Sequence, residues 1–127
     1  MRAMVVDASA LAAVIFDEPE AVPIVASVTG ALIAPGLILY ELASVCTVKT
    51  IRHPGCAEEI DARYRLLDSV ALDLVEPNWD QLPALARRWQ LSAYDAAYLQ
   101  LALARKAPLV TLDARLAAAW ELASETM

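Results

Sequence analysis

Cysteine is scarce in this chain of 127 residues, and the two present, Cys46 and Cys56, have neither Cys-x-x-Cys nor Cys/His ligand spacing. They read as small, isolated thiols, which argues against a zinc cluster or a disulfide framework and for a reducing, cytoplasmic setting. Basic residues are also in short supply: 10 Lys and Arg face 16 Asp and Glu, a formal net charge of −6. The surface as a whole repels nucleic acid, so such a partner must be held by a local basic patch or through bound cations. Aromatics make up only 6% and glycine 3 residues, while 59% of the chain is hydrophobic. That balance excludes a disordered chain and favours helices packed on a short, buried sheet over a sandwich or barrel. The length suits one domain, residues 1–127.

A membrane-spanning run is missing as well. Residues 21 to 48 carry a single charged side chain, Glu41, over more than the length of a bilayer span. Pro23, Gly30 and the Pro35-Gly36 pair cut this stretch into short pieces, and a carboxylate at mid-depth is costly, so it reads as core. The opening MRAMVVDASALAAVIFDEPE places acids a few residues into its apolar run and has no small-residue cleavage site behind a basic segment, so export is not expected.

What is present is an alternation of short apolar runs with longer helical ones. The spacing predicts strands at 3 to 6, 31 to 34, 70 to 75 and 108 to 112. Helices are expected at 10 to 16, 21 to 29, 37 to 52, 56 to 69, 79 to 90, 95 to 106 and 114 to 124. Pro23 falls in a first turn, where a missing N–H does no harm, and Pro35-Gly36 and His53-Pro54-Gly55 bracket the longest helix. Strands separated by helices must run parallel, with right-handed crossovers. The expected fold is therefore α/β, an open parallel sheet of four or five short strands flanked by helices in three layers.

Open parallel sheets bind ligands along the edge where the strands' C-terminal ends lie. Asp7 directly follows the first strand, Asp113 the last, Glu41 sits in the second turn of the helix after the second strand, and Asp95 opens the helix feeding the last strand. Each acid also has a plain structural reading. Asp7 and Asp113 suit helix N-caps, and Ser92-Ala93-Tyr94-Asp95 is close to a capping box. Glu41 stands apart: its one-turn neighbours include Leu37, Ile38 and Val45, where an unpaired carboxylate is expensive, although Ser44 and Thr47 offer a polar seam. Four carboxylates converging without nearby Lys or Arg repel one another and raise one another's pKa. A hard divalent cation such as Mg²⁺ or Mn²⁺ relieves that conflict and brings hydrolytic chemistry with it.

The order of these residues resembles the PIN-domain family, and within it the small VapC-type toxins of toxin-antitoxin pairs. The resemblance runs through V-V-D-A-S-A-L at 5 to 11, D-E-P-E-A at 17 to 21 and A-P-G-L-I-L-Y-E-L-A-S-V at 34 to 45. It continues with L-S-A-Y-D-A-A-Y-L-Q-L-A at 91 to 102 and P-L-V-T-L-D-A-R-L at 108 to 116. It implies a PIN-like fold and a metal-dependent endoribonuclease that cuts RNA by in-line attack of activated water, leaving a 3′ hydroxyl and a 5′ phosphate. Asp7, Glu41, Asp95 and Asp113 match the family's acidic positions, with Ser9 and Thr111 as supporting hydroxyls and Mg²⁺ or Mn²⁺ as the cofactor. Two departures bear on a second metal: D-A-S replaces an aspartate followed directly by a hydroxyl residue, and no further acid follows Asp113 within a turn. The resemblance also implies a cognate antitoxin that covers an apolar groove and inserts a basic residue into the acidic site. A small domain this hydrophobic is further expected to hide apolar surface in a homodimer or with such a partner.

Lys49, Arg52 and His53 crowd the end of the longest helix, where cations suit the helix dipole as well as a phosphate contact. Arg87, Arg88 and Trp89 read as a solvated helix face with a half-buried ring rather than an RNA grip. Trp79, Trp120 and the apolar positions of 10 to 16 and 21 to 29 are expected in the core. A non-catalytic PIN-like scaffold is the competing reading. A phosphate-accepting receiver fits worse, because residues 7 to 9 lack a second acid and no lysine follows residue 106.

Overall fold

Four strands form one all-parallel sheet in the order β3-β2-β1-β4, as seen in the computed structural model, which describes residues 2–126. β1 (Ala3–Val6) is followed by α1 (Ala8–Ile15) and α2 (Ala21–Ser27), β2 (Ala31–Ala34) by α3 (Leu37–Arg52) and α4 (Ala57–Arg65). β3 (Leu72–Leu74) leads to α5 (Leu82–Trp89) and α6 (Ala93–Arg105), and β4 (Leu109–Val110) to α7 (Ala114–Ser124). Ala3, Met4 and Val5 pair with Ala31, Leu32 and Ile33, while Val5 and Val6 pair with Leu109 and Val110 on the other side. The chain thus steps outward from β1 through β2 to β3, then returns to lay β4 on β1's opposite flank. This reversal leaves a crevice beyond the C-terminal ends of β1 and β4, where such sheets bind ligands.

Met4, Val5 and Val6 are all buried. Successive strand side chains point to opposite faces, so helices cover the sheet on both sides, giving a PIN-like α/β/α arrangement. α6 packs against β1 and β4 with α5 and α7 alongside it, while α1 lies on α2 and α3. Val5, Ile38, Leu42, Leu99, Leu101 and Leu116 are almost wholly removed from water, each contributing roughly 1.5–3 kcal/mol of apolar burial. Gly30 is required where β2 begins: a Cβ there would lie 1.8 Å from the Arg2 carbonyl oxygen, which accepts the Ala31 N–H at 3.1 Å.

The predicted sheet, its parallel sense and its four strands agree with the structure; several element details differ. Residues 56 to 69 form α4 between two 3₁₀ turns, Pro54–Cys56 and Leu66–Ser69, the tighter winding common at helix ends. Residues 79 to 90 also split, because the Pro83 ring clashes with an α-helical carbonyl four residues back, at Trp79. Trp79–Gln81 is instead a 3₁₀ turn, and Trp79, expected in the core, is 79% exposed. In α2 only Ala21 and Ile24 are buried; Val22 and Val25 face outward. β4 is shorter than expected because the next amides leave the ladder for side chains: Leu112 N–H donates to Ser9 Oγ and Asp113 N–H to Thr111 Oγ1, each at 3.0 Å.

Candidate active site at the sheet switch point

Asp7 leaves β1 with extended backbone and caps α1, its Oδ1 accepting the Ala10 N–H at 3.0 Å. It is the most deeply placed carboxylate, 4% exposed, and two hydroxyls support it. Ser9 Oγ donates to Oδ1 at 2.7 Å and Thr111 Oγ1 to Oδ2 at 2.5 Å. The Asp7 N–H is itself held by the Val110 carbonyl at 3.1 Å, so pairing of β1 with β4 sets the position of the whole group. Burial raises the Asp7 carboxyl above the ordinary range, the three hydrogen bonds oppose that rise, and the charge of Asp113 adds to it.

Asp113 caps α7, Oδ1 accepting the Arg115 and Leu116 N–H groups at 2.9 and 3.1 Å. Asp95 occupies the first turn of α6 behind the Ser92 cap, whose Oγ accepts the Asp95 N–H at 3.1 Å. The capping roles read from the sequence for Asp7 and Asp113 and the Ser92 cap before Asp95 are therefore all present. They leave oxygens over: no hydrogen bond among the described residues engages Asp113 Oδ2. Glu41, half-buried on α3, accepts the Tyr98 hydroxyl on Oε1 at 2.5 Å, and Oε2 is similarly unengaged.

Three of the four acids feel the charge of another: Asp7 that of Asp113, Glu41 those of Asp95 and Asp7, and Asp95 those of Asp113 and Asp7. Burial raises Glu41, and the charges of Asp95 and Asp7 raise it further against the Tyr98 hydrogen bond. Burial also raises Asp95, assisted by Asp113 and Asp7 and opposed by Ser92 and Arg115. Among the described residues no three acidic, His or Cys side chains close around a single point, so any ion would take part of its shell from water or substrate. An all-oxygen donor set with spare lone pairs suits Mg²⁺ or Mn²⁺, which retain several waters.

Two residues of this site escape a reading of the sequence. Tyr98, legible in the sequence only as part of the motif at 91 to 102, is buried with its hydroxyl on Glu41, and its own pKa is driven upward by burial and by that carboxylate. Its place three residues after Asp95, on the same helix face, was the available signal. Arg115 corrects the expectation that no cation stands near the acids: its charge reaches Asp95 while its guanidinium donates to the Gln90 carbonyl at 2.6 Å. Elsewhere, His53 ends α3 and is exposed. Lys49 pairs with Glu18 at 3.4 Å and lies over the Phe16 ring. Arg88 covers the half-buried Trp89 ring, and both cysteines are free thiols.

An open parallel α/β/α sheet with carboxylates collected at its switch point defines a class of acidic-site domains, and comparison with known proteins places the chain within it. The PIN domain family model matches residues 4–121, and the chain belongs to that family. PIN domains are typically nucleases and usually use divalent metals. Among solved structures, the crystal structure of PAE2754 from Pyrobaculum aerophilum is similar in fold, with a TM-score of 0.75 and 24% sequence identity over 98% of this chain and 96% of that one. Among curated proteins none matches. No helix among the described residues is long and apolar enough to cross a membrane.

Proposed function

We propose that this chain is a Mg²⁺- or Mn²⁺-dependent endoribonuclease, a single-domain cytoplasmic toxin of a type II toxin-antitoxin pair. The observation that carries the reading is the gathering of partly buried carboxylates at the sheet switch point. Burial first raises Asp7, Glu41 and Asp95, and then the charge of Asp113 adds to Asp7, those of Asp95 and Asp7 to Glu41, and those of Asp113 and Asp7 to Asp95. Structural caps alone do not require such a concentration of like charge. Asp7, Asp95, Asp113 and Glu41 would hold the ion, which when bound polarises the phosphodiester and activates water. Ser9 and Thr111 fix the Asp7 carboxylate in one rotamer, and Tyr98 does the same for Glu41, so the ligands are oriented before substrate arrives. Supporting the cytoplasmic setting are the two free thiols.

The antitoxin would lie in the apolar groove lined by Leu11, Val14, Ile24, Val25, Val28 and Val70, and a homodimer would cover exposed Val48 and Ile51 on α3. A non-catalytic scaffold is the second reading, favoured by the absence of a closed three-ligand site among the described residues. Cleavage of structured RNA separates the two. Wild type should cut in Mg²⁺ or Mn²⁺ and stop with chelator, and Asp95→Asn should lose activity by orders of magnitude; metal-independent or absent cleavage in the wild type contradicts the nuclease. A monodisperse monomer with no partner in its operon would remove the toxin and dimer parts.

A further inference from the structure

The chain has four tyrosines, and they divide cleanly. Tyr64 and Tyr98 are wholly or partly buried and donate their hydroxyls to the Leu39 carbonyl and to Glu41. Tyr40 and Tyr94 are 77% and 65% exposed, and neither hydroxyl has a hydrogen-bond partner among the described residues. Both lie in the first turn of a helix, α3 and α6, immediately before a site acid, in the pairs Tyr40-Glu41 and Tyr94-Asp95. A step of one residue turns a helix by about 100°, so each acid faces the crevice while its tyrosine stands at the rim. The two rings line one open cleft of about 420 Å³, with Glu41 and Ser44 completing its wall.

We infer that Tyr40 and Tyr94 form a stacking subsite for the unpaired bases of single-stranded RNA flanking the bond to be cut. The inference rests on the nuclease reading for its setting, since Glu41 is a wall of both sites. The charge balance gives such a subsite a purpose. A chain of net charge −6 gains little from counterion release on binding a phosphate backbone. Stacking on aromatic rings is insensitive to net charge and tolerant of sequence, because every base has a π-face. A duplex, whose bases are already stacked on one another, cannot use such a platform.

The test is an anisotropy titration in chelator, where the wild type should not cut, with a short fluorescein-labelled single-stranded RNA and with the same backbone carrying abasic positions. Tyr40→Ala, Tyr94→Ala and the corresponding Leu variants should bind the intact strand roughly 5- to 150-fold more weakly. The Phe variants should match wild type. The abasic strand should bind all variants equally weakly, and the salt dependence should be the same throughout, because no phosphate contact is lost. Thermal melting, expected unchanged for such exposed side chains, reports that the variants are folded. Unaltered affinity in the Ala variants, an equal loss on the abasic strand, or dissociation of a dimer by Tyr→Ala in light scattering each overturns the inference. The two readings fail separately. A wild type that binds through its tyrosines yet never cleaves defeats the nuclease, whereas a cleaving enzyme whose KM ignores both tyrosines defeats the stacking subsite.

Discussion

Replacing Asp7 by Asn keeps the shape of the side chain and removes one buried negative charge, whereas replacing it by Ala removes the helix cap as well. In the wild type the carboxylate accepts from the Ala10 N–H, Ser9 and Thr111. Asn Oδ1 can keep the first two, and its amide can turn toward Thr111 Oγ1, whose proton then points to Ser9 Oγ, 3.4 Å away. Burial holds the native Asp7 pKa above its unfolded value. The ionised form is therefore disfavoured in the fold, and the stability linked to this group is full at low pH and lost as pH rises through the native pKa. At pH 7 in chelator, Asp7→Asn should melt at or above wild type. Asp7→Ala should lose about 0.5–2 kcal/mol of capping, roughly 2–8 °C for a chain of this size. With Mn²⁺ at about 100 times its Kd the wild type should gain about 2.7 kcal/mol, on the order of 10 °C, and Asp7→Asn far less. Calorimetric melts of the three proteins, with chelator and with Mn²⁺, measure all of this. If Asn melts as low as Ala in chelator, or gains as much from Mn²⁺ as wild type, then Asp7 is a structural cap and nothing more.

Tyr98→Phe should cost about 1–2 kcal/mol in denaturant unfolding at neutral pH, since it deletes the donor to the Glu41 carboxylate while preserving the buried ring; an unchanged midpoint would show the bond to be worthless. Asp7, Glu41 and Asp95 are all raised, first by burial and then by their neighbours' charges. The metal-free protein should therefore gain stability on mild acidification from neutral pH, and protons should compete with Mn²⁺ from above the ordinary carboxylate range. Isothermal titration across that range checks this, and an affinity that holds until ordinary carboxylates protonate would contradict it. Gly30→Ala would set a Cβ 1.8 Å from the Arg2 carbonyl oxygen and disturb the first β1–β2 pair. A destabilisation of about 1–3 kcal/mol is expected, and a melting temperature equal to wild type would mean the backbone there yields freely.

The features legible in the sequence are those carried by local chemistry. β1, β2, α3 and α7 begin and end as predicted, since apolar runs bounded by Asp7, Gly30, Pro35-Gly36 and His53-Pro54-Gly55 leave few alternatives. The caps at Asp7, Ser92 and Asp113 follow from the same kind of signal, a short polar side chain at the entrance of a helix. Where distant partners decide, local pattern is silent. Trp79 is apolar enough for a core, yet it sits in the 3₁₀ turn ahead of Pro83 and is exposed, and Val22 and Val25 lie on a helix with only one covered side.

By itself the sequence determined which residues are chemically able to form an acidic site, and in which order, because charge, hydroxyl and helix-start preference belong to each residue and its near neighbours. Tertiary structure alone decided that β4 returns beside β1. That pairing carries Thr111 onto Asp7 across 104 positions, and the packing of the helices around the sheet sets Tyr98 against Glu41 and brings Arg115 within reach of Asp95. Such contacts depend on strand order, and strand order is chosen by the burial of both sheet faces at once, a condition on the whole chain that no local segment contains.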